Sequence, residues 1–169
     1  HETASIGIKA SLTGHLVLST LHTNSAPETI TRLLDLGLDP VNFSDALLAI
    51  LAQRLIRTLC GKCKETYKPE DKELNHLIEQ YGTEDFKTLG FNPSEMELCR
   101  AVGCEACGDT GYKGRTGVHE LLVGTHELQS MIYKKADLSD LTKQAIKDGM
   151  RTLKQDGIHK IFTGYTDYE

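Results

Sequence analysis

Apolar residues at Ala4, Ile6, Ile8 and Leu12, with Ala and Ser between them, predict a helix over the first dozen residues, closed by Gly14. From Leu16 to Leu21 the pattern changes to a short apolar block containing Val and Thr. Its length suits a strand buried on both faces of a parallel sheet. Ser25 reads as an N-cap, with Pro27 and Glu28 in the first turn of a helix that runs to about Leu36 and ends at Gly37. Asp39-Pro40 opens a further apolar helix, from about Val41 to Leu55, and Arg54 to Leu59 either finishes it or forms a short strand. Helix, strand, helix, helix in this order reads as the closing part of an α/β layer.

From Lys64 to Gly103 the chain turns polar and charged. A helix start is expected at Pro69-Glu70-Asp71, and the stretch from Thr83 to Leu98, with Gly90 and Pro93, reads as irregular. GDTGYKGRTG, from Gly108 to Gly117, holds four glycines in ten residues and predicts a turn-rich loop. Val118 to Val123 follows as a strand. Two helices then close the pattern: one marked by Leu138 and Leu141, the other by Leu153, Ile158, Ile161 and Phe162 on one face.

Composition narrows the function classes. At 169 residues the chain suits one domain, or a domain with a small appendage. A net charge of -5 argues against a sequence-independent nucleic-acid binder, and 6% aromatic residues argue against a nucleic-acid zinc ribbon. No apolar run approaches the roughly 20 residues needed to cross a bilayer. The opening HETASIGIKASLTG begins inside a helical pattern with no preceding Met, which suggests a piece of a longer protein.

Five cysteines, an odd number, fall mostly into two CxxC pairs, CGKC at Cys60 and Cys63 and CEAC at Cys104 and Cys107. Two intervening residues let a tight turn aim both sulfurs of a pair at one point, and two such turns close a tetrahedral thiolate shell. This points to a reducing compartment and a structural metal rather than disulfides. Zn is the expected ion, although iron fills the same shell. Redox CxxC chemistry and four unrelated buried thiols are the alternatives. Cys99 is left over, either as a small buried hydrophobe or as a competitor within the ligand set.

His15 and His22 bracket the apolar block. If Leu16–Leu21 is a central parallel strand, then His22, Thr23 and Asn24 lie beyond its carboxyl end, where an α/β sheet binds phosphate. His22 can then sense or stabilise a γ-phosphate. The plainer alternative is that both histidines are structural. Gln53, Arg54 and Arg57 contact nucleotide or a neighbouring subunit, or else form a solvated helix face.

These residues carry a resemblance. ETASIGIKASLTGHLVLSTLHTNSAPETITRLLDLG resembles the histidine box of the type II secretion and type IV pilus assembly ATPases. AQRLIRTLC, at Ala52 to Cys60, is similar to the segment that leads into that family's cysteine motif. The paired CxxC motifs, GCEACGDTGYKGRTGVHELL and MRTLKQDGIHK match the same family in the same order. Only the insert from about Lys64 to Leu98 carries little of the likeness.

The resemblance implies an α/β fold: the carboxy-terminal part of a RecA-like P-loop ATPase domain, with a tetracysteine zinc subdomain and a helical tail. The implied division is 1–59, 60–113 and 114–169. It further implies a cytoplasmic homo-hexamer, peripheral to the inner membrane through platform proteins of the secretion or pilus machine, that turns over ATP with Mg. His15 and His22 would belong to the nucleotide site, and Glu2 to the tail of the Walker B region. Thr23, Asn24 and Arg54 are the expected nucleotide contacts.

The sequence departs from a working enzyme in one respect. It contains no GxxxxGK[ST], so the backbone N–H cradle and the Lys that hold phosphates are missing from it. The expectation is that this stretch alone does not hydrolyse ATP. The rival reading is a stand-alone, zinc-dependent protein-interaction module.

Overall fold

The computed structural model describes residues 2–168. The chain divides into two compact units, each built from two segments: residues up to Ala52 with His119–Thr152, and Gln53–Val118 with the residues from Leu153 onward.

In the first unit, α1 (Glu2–Leu12) lays Ala4 and Ile8 against the core. α2 (Ala26–Asp35) forms as its capping residues dictate: Ser25 Oγ accepts the Glu28 N–H at 3.3 Å, and Pro27 sits in the first turn. At the other end the Gly37 N–H bonds Leu34 O at 2.8 Å and the Leu38 N–H bonds Leu33 O at 3.3 Å, a Schellman closure. Ala26, Ile30 and Leu33, at i, i+4 and i+7, make the buried face. α3 (Pro40–Ala46) is capped by Asp39, whose Oδ2 accepts the Asn42 N–H at 3.0 Å. The core joins these helices to Leu122, Leu128, Ile132, Leu141 and Met150.

The helix expected from Val41 to Leu55 is corrected. α3 stops at Ala46, Leu47 turns extended, and Ala49–Leu59 is a strand, β1. Ile50 and Ala52 pack inward on the core while Leu51 and Gln53 face outward, a two-residue period hidden by a run of uniformly apolar side chains. Arg54 therefore lies on a strand. Ala49–Ala52 of β1 belong to this unit and Gln53–Leu59 to the other.

The buried strand expected at Leu16–Leu21 is also corrected. This segment has no regular secondary structure, and Leu16 and Leu18 are 74% and 88% exposed. Among the described residues the only sheets are two-stranded, β1 with β4 and β2 with β3, so the run has no strand to pair with.

The second unit carries β2 (Glu65–Tyr67) and β3 (Leu98–Arg100), paired antiparallel with Thr66 opposite Cys99. Between them lie α4 (Asp71–Tyr81), α5 (Thr83–Lys87) and a 3₁₀ turn at Pro93–Glu95, so the stretch read as irregular is partly helical. Leu74, Leu77 and Tyr81 of α4 pack with Phe86, Met96 and Leu98. β4 (Tyr112–Val123) begins inside the glycine-rich stretch expected to be loop, because its residues pair with β1. Backbone bonds from the Gly124 N–H to Leu48 O and from the Cys60 N–H to Gly111 O, both 2.8 Å, flank this ladder and show that its strands run in opposite directions.

α6 (His126–Tyr133) and α7 (Leu138–Lys147) return to the first unit's core. α8 (Leu153–Phe162) buries Ile158, Ile161 and Phe162 in the second, where Phe162 meets Phe86 edge-on with ring centroids 5.4 Å apart.

Candidate metal centre

β1 delivers Cys60 directly from its end, 1% exposed. A tight turn follows, in which the Cys63 and Lys64 N–H groups bond Cys60 O at 3.2 and 2.9 Å. The second knuckle starts from an extended Cys104, enters a 3₁₀ turn at Glu105–Cys107 and leaves through a left-handed Gly108. Its closing bonds run to Cys104 O, from the Cys107 N–H at 3.1 Å and the Asp109 N–H at 2.9 Å.

The four sulfurs of Cys60, Cys63, Cys104 and Cys107 all lie within 4.8 Å of one another. Cys60 and Cys104 are 4.0 Å apart, and Cys63–Cys107 and Cys104–Cys107 are each 3.8 Å. A tetrahedral ion with metal–sulfur bonds of about 2.3 Å needs sulfur–sulfur edges of about 3.8 Å. The three close edges match that value, so the donor set fits a Zn or Fe tetrathiolate. Such a shell has no open position for water or substrate, so its chemistry is structural. Cys99 stands apart: its Sγ is 3.9 Å from Thr66 Oγ1 on the β2–β3 ladder, and it is outside the cluster.

The cluster separates its own thiols. Burial pushes the Cys63 thiol up to about 12; a backbone hydrogen bond from Gly103 opposes this, and the Cys104, Cys107 and Cys60 thiols add to it. At Cys107 burial also acts upward, but the N–H groups of Cys104 and Gly111, each 3.3 Å from Sγ, and the thiols of Cys104 and Cys63 outweigh it and bring the group down to about 6. Of Cys63 and Cys107, the one with two N–H donors to its sulfur ionises first.

The residues expected at a nucleotide site lie in the other unit, except Arg54. Glu2 is exposed in the first turn of α1. His15 is exposed, with Nδ1 3.2 Å from Thr13 Oγ1. His22 is exposed at the end of the extended run, three residues before the α2 cap at Ser25. Thr23 Oγ1 meets Thr29 Oγ1 at 2.6 Å, and the Asn24 N–H donates to Glu28 Oε2 at 3.1 Å. Arg54 is exposed on β1, with Nη1 donating to the Gln53 carbonyl at 3.3 Å.

Two carboxylates escaped the sequence reading. Glu120, buried on β4, accepts the Ala26 N–H at the start of α2. Asp167, beyond α8, accepts from Ala101 and Tyr112. Glu120 carried one sequence signal, an acidic residue at an inward position of an apolar strand; Asp167 carried none.

Fold and site together define an α/β protein with a cluster of four cysteines. The chain belongs to the Type II/IV secretion system protein family, whose model matches residues 1–169. It is 42% identical to the type IV pilus assembly ATPase PilB of Thermus thermophilus, over 99% of this chain and 18% of that protein. It is 44% identical to the type II secretion system ATPase E of Vibrio cholerae and 43% identical to the type II secretion system protein E of Pseudomonas aeruginosa, in each case over 99% of this chain and 31% of the relative. The chain thus spans less than a third of the length of these relatives.

Proposed function

We infer that this chain is the carboxy-terminal part of a RecA-like P-loop ATPase domain, in a hexameric cytoplasmic motor for type II protein secretion or type IV pilus assembly. The observation that carries this reading is the convergence of four sulfurs on one point in a chain of the secretion family. In this reading Cys60, Cys63, Cys104 and Cys107 hold a structural zinc. The ion supplies a rigid fourfold cross-link and no reaction step.

The bare run from Leu16 to Leu21 supports a sheet strand whose neighbours belong to the remainder of a protein as long as the relatives. Paired in that way, it would aim His22, Thr23 and Asn24 beyond its carboxyl end, next to the positive end of α2. His22 would hold or sense the γ-phosphate, with His15, Glu2 and Arg54 around the same ATP–Mg. Platform proteins at the inner membrane would be the motor's partners; among the described residues no helix is long and apolar enough to cross a membrane.

The test is phosphate release from MgATP. The 169-residue chain releases no more phosphate than its His22→Ala variant, because it contains no GxxxxGK[ST]. The full-length protein turns over, and His22→Ala lowers its kcat by about 100-fold or more. Turnover by the chain alone above the variant, or an unimpaired full-length His22→Ala, overturns the nucleotide reading.

A further inference from the structure

The segment after α8 touches the tetracysteine centre at four places, none of them a ligand. The Leu59 N–H, one residue before Cys60, donates to Tyr165 O at 2.9 Å. Lys64 Nζ, one residue after Cys63, donates to Gly164 O at 2.8 Å. The Ala101 N–H, ahead of Cys104, donates to Asp167 Oδ2 at 3.1 Å. The Tyr112 hydroxyl, past Cys107, donates to Asp167 at 2.8 Å to Oδ1 and 2.9 Å to Oδ2. Each cysteine knuckle is thus held on both flanks by residues 164–167.

The second knuckle depends on this most. Its loop is pinched at the neck: a Cβ on Gly111 would meet the Ala101 Cβ at 2.6 Å, and one on Gly103 would meet Asp109 O at 2.8 Å, with φ of +77° and +118°. Ala101 and Tyr112, which flank that neck, share one carboxylate. Tyr112 is fixed from its ring face as well, where the Arg57 guanidinium of β1 lies 3.9 Å above the centroid. Gly111 itself donates to Cys107 Sγ and accepts from the Cys60 N–H. Movement of Tyr112 therefore reaches both knuckles through its neighbour.

We propose that Asp167 is a positioning residue for the tetracysteine centre: it closes the neck of the Cys104–Cys107 loop, so that docking of residues 164–167 and retention of the ion are one coupled event. The proposal rests on the metal reading above for its ion, and on the geometry alone for the closed loop.

The experiment uses the 169-residue chain with Asp167→Ala, Asp167→Asn and Tyr112→Phe, and with Glu84→Gln as a surface control. Zinc transfer to a chromogenic chelator speeds up about tenfold in Asp167→Ala and by less in the other two, while the control matches the parent chain. The thiolate-to-Co(II) charge-transfer bands of the cobalt-loaded chain shift in the Asp167 variants, a change that a general loss of stability would not produce. In metal-free protein, DTNB labels Cys104 and Cys107 faster in the same variants.

Should Asp167→Ala not fold, as judged by circular dichroism, Asp167→Asn and Tyr112→Phe decide. Release rates, spectra and thiol labelling all equal to the parent chain overturn the proposal while leaving the metal reading intact. A parent chain with no tetrathiolate cobalt spectrum overturns the metal reading instead, and the DTNB rates then decide whether Asp167 closes the loop.

Discussion

Glu120 accepts the backbone N–H of Ala26 at 2.6 Å, across 94 residues of chain, in a site that leaves the carboxylate 4% exposed. A buried carboxyl oxygen at the first residue of α2 satisfies a donor that the helix cannot pair. Replacing Glu120 with Ala strands that N–H away from water and should cost about 2–3 kcal/mol, measured by urea unfolding. Glu120→Gln keeps an acceptor and should cost less than half as much. Equal losses from both would assign the effect to packing rather than to the hydrogen bond.

Metal content follows from the sulfur geometry. The purified chain should carry one Zn or Fe per molecule by elemental analysis, and Cys104→Ser should abolish stoichiometric binding. Cys99→Ser should leave it unchanged, since Cys99 faces Thr66 and not the cluster. Stripping the ion with chelator should remove several kcal/mol of stability, because binding free energy at a structural site is folding free energy.

In the metal-free chain the joint contribution of Cys107 and Cys63 to stability should peak near pH 9. Cys107 is brought from 9.0 to about 6, so the unfolded state binds more protons between those values and stability climbs as pH rises from 6 to 9. Cys63 is raised from 9.0 to about 12, so there the folded state binds more protons and stability falls from pH 9 to 12. Urea midpoints in reductant and chelator give the curve. Cys107→Ser should flatten the acid limb and, by removing a thiol that supports the Cys63 shift, weaken the alkaline one. Bound metal should remove the Cys63 contribution and steepen the acid limb, because its ligands are thiolates in the folded chain and protonated in the unfolded one.

Leu18, 88% exposed, and Ile30, fully buried, predict opposite outcomes for truncation. Leu18→Ser should change the stability of the isolated chain by no more than about 0.5 kcal/mol and lower its tendency to aggregate in light scattering. Ile30→Ala should cost about 2–5 kcal/mol. A large loss at Leu18 would mean that the run is packed as a core strand in solution.

What could be read from the residues alone divides by range. α2 was legible because Ser25, Pro27, Glu28 and the spacing of Ala26, Ile30 and Leu33 all act within a few residues. The clustering of Cys60, Cys63, Cys104 and Cys107 was legible because CxxC spacing is itself the geometric constraint. Arg54–Leu59 was read as a possible strand, but the start of β1 was missed because Ala-Ile-Leu-Ala has no polar position to reveal its period, and pairing with β4, a tertiary effect, overrides its helical propensity. Leu16–Leu21 has the composition of a buried strand but no neighbour here, and a strand needs one. Asp167 acts over 55 and 66 residues of separation, beyond anything a local pattern encodes.

The separation of the two knuckles sets a timetable for biosynthesis. Cys104 leaves the ribosome 44 residues after Cys60, a delay of roughly 2–9 seconds at ordinary translation speeds of about 5–20 residues per second. For that interval the nascent chain displays two bare thiols and half a chelate, open to oxidation or to the wrong ion. If the four cysteines hold an ion, its capture can be completed only after Cys107 has emerged.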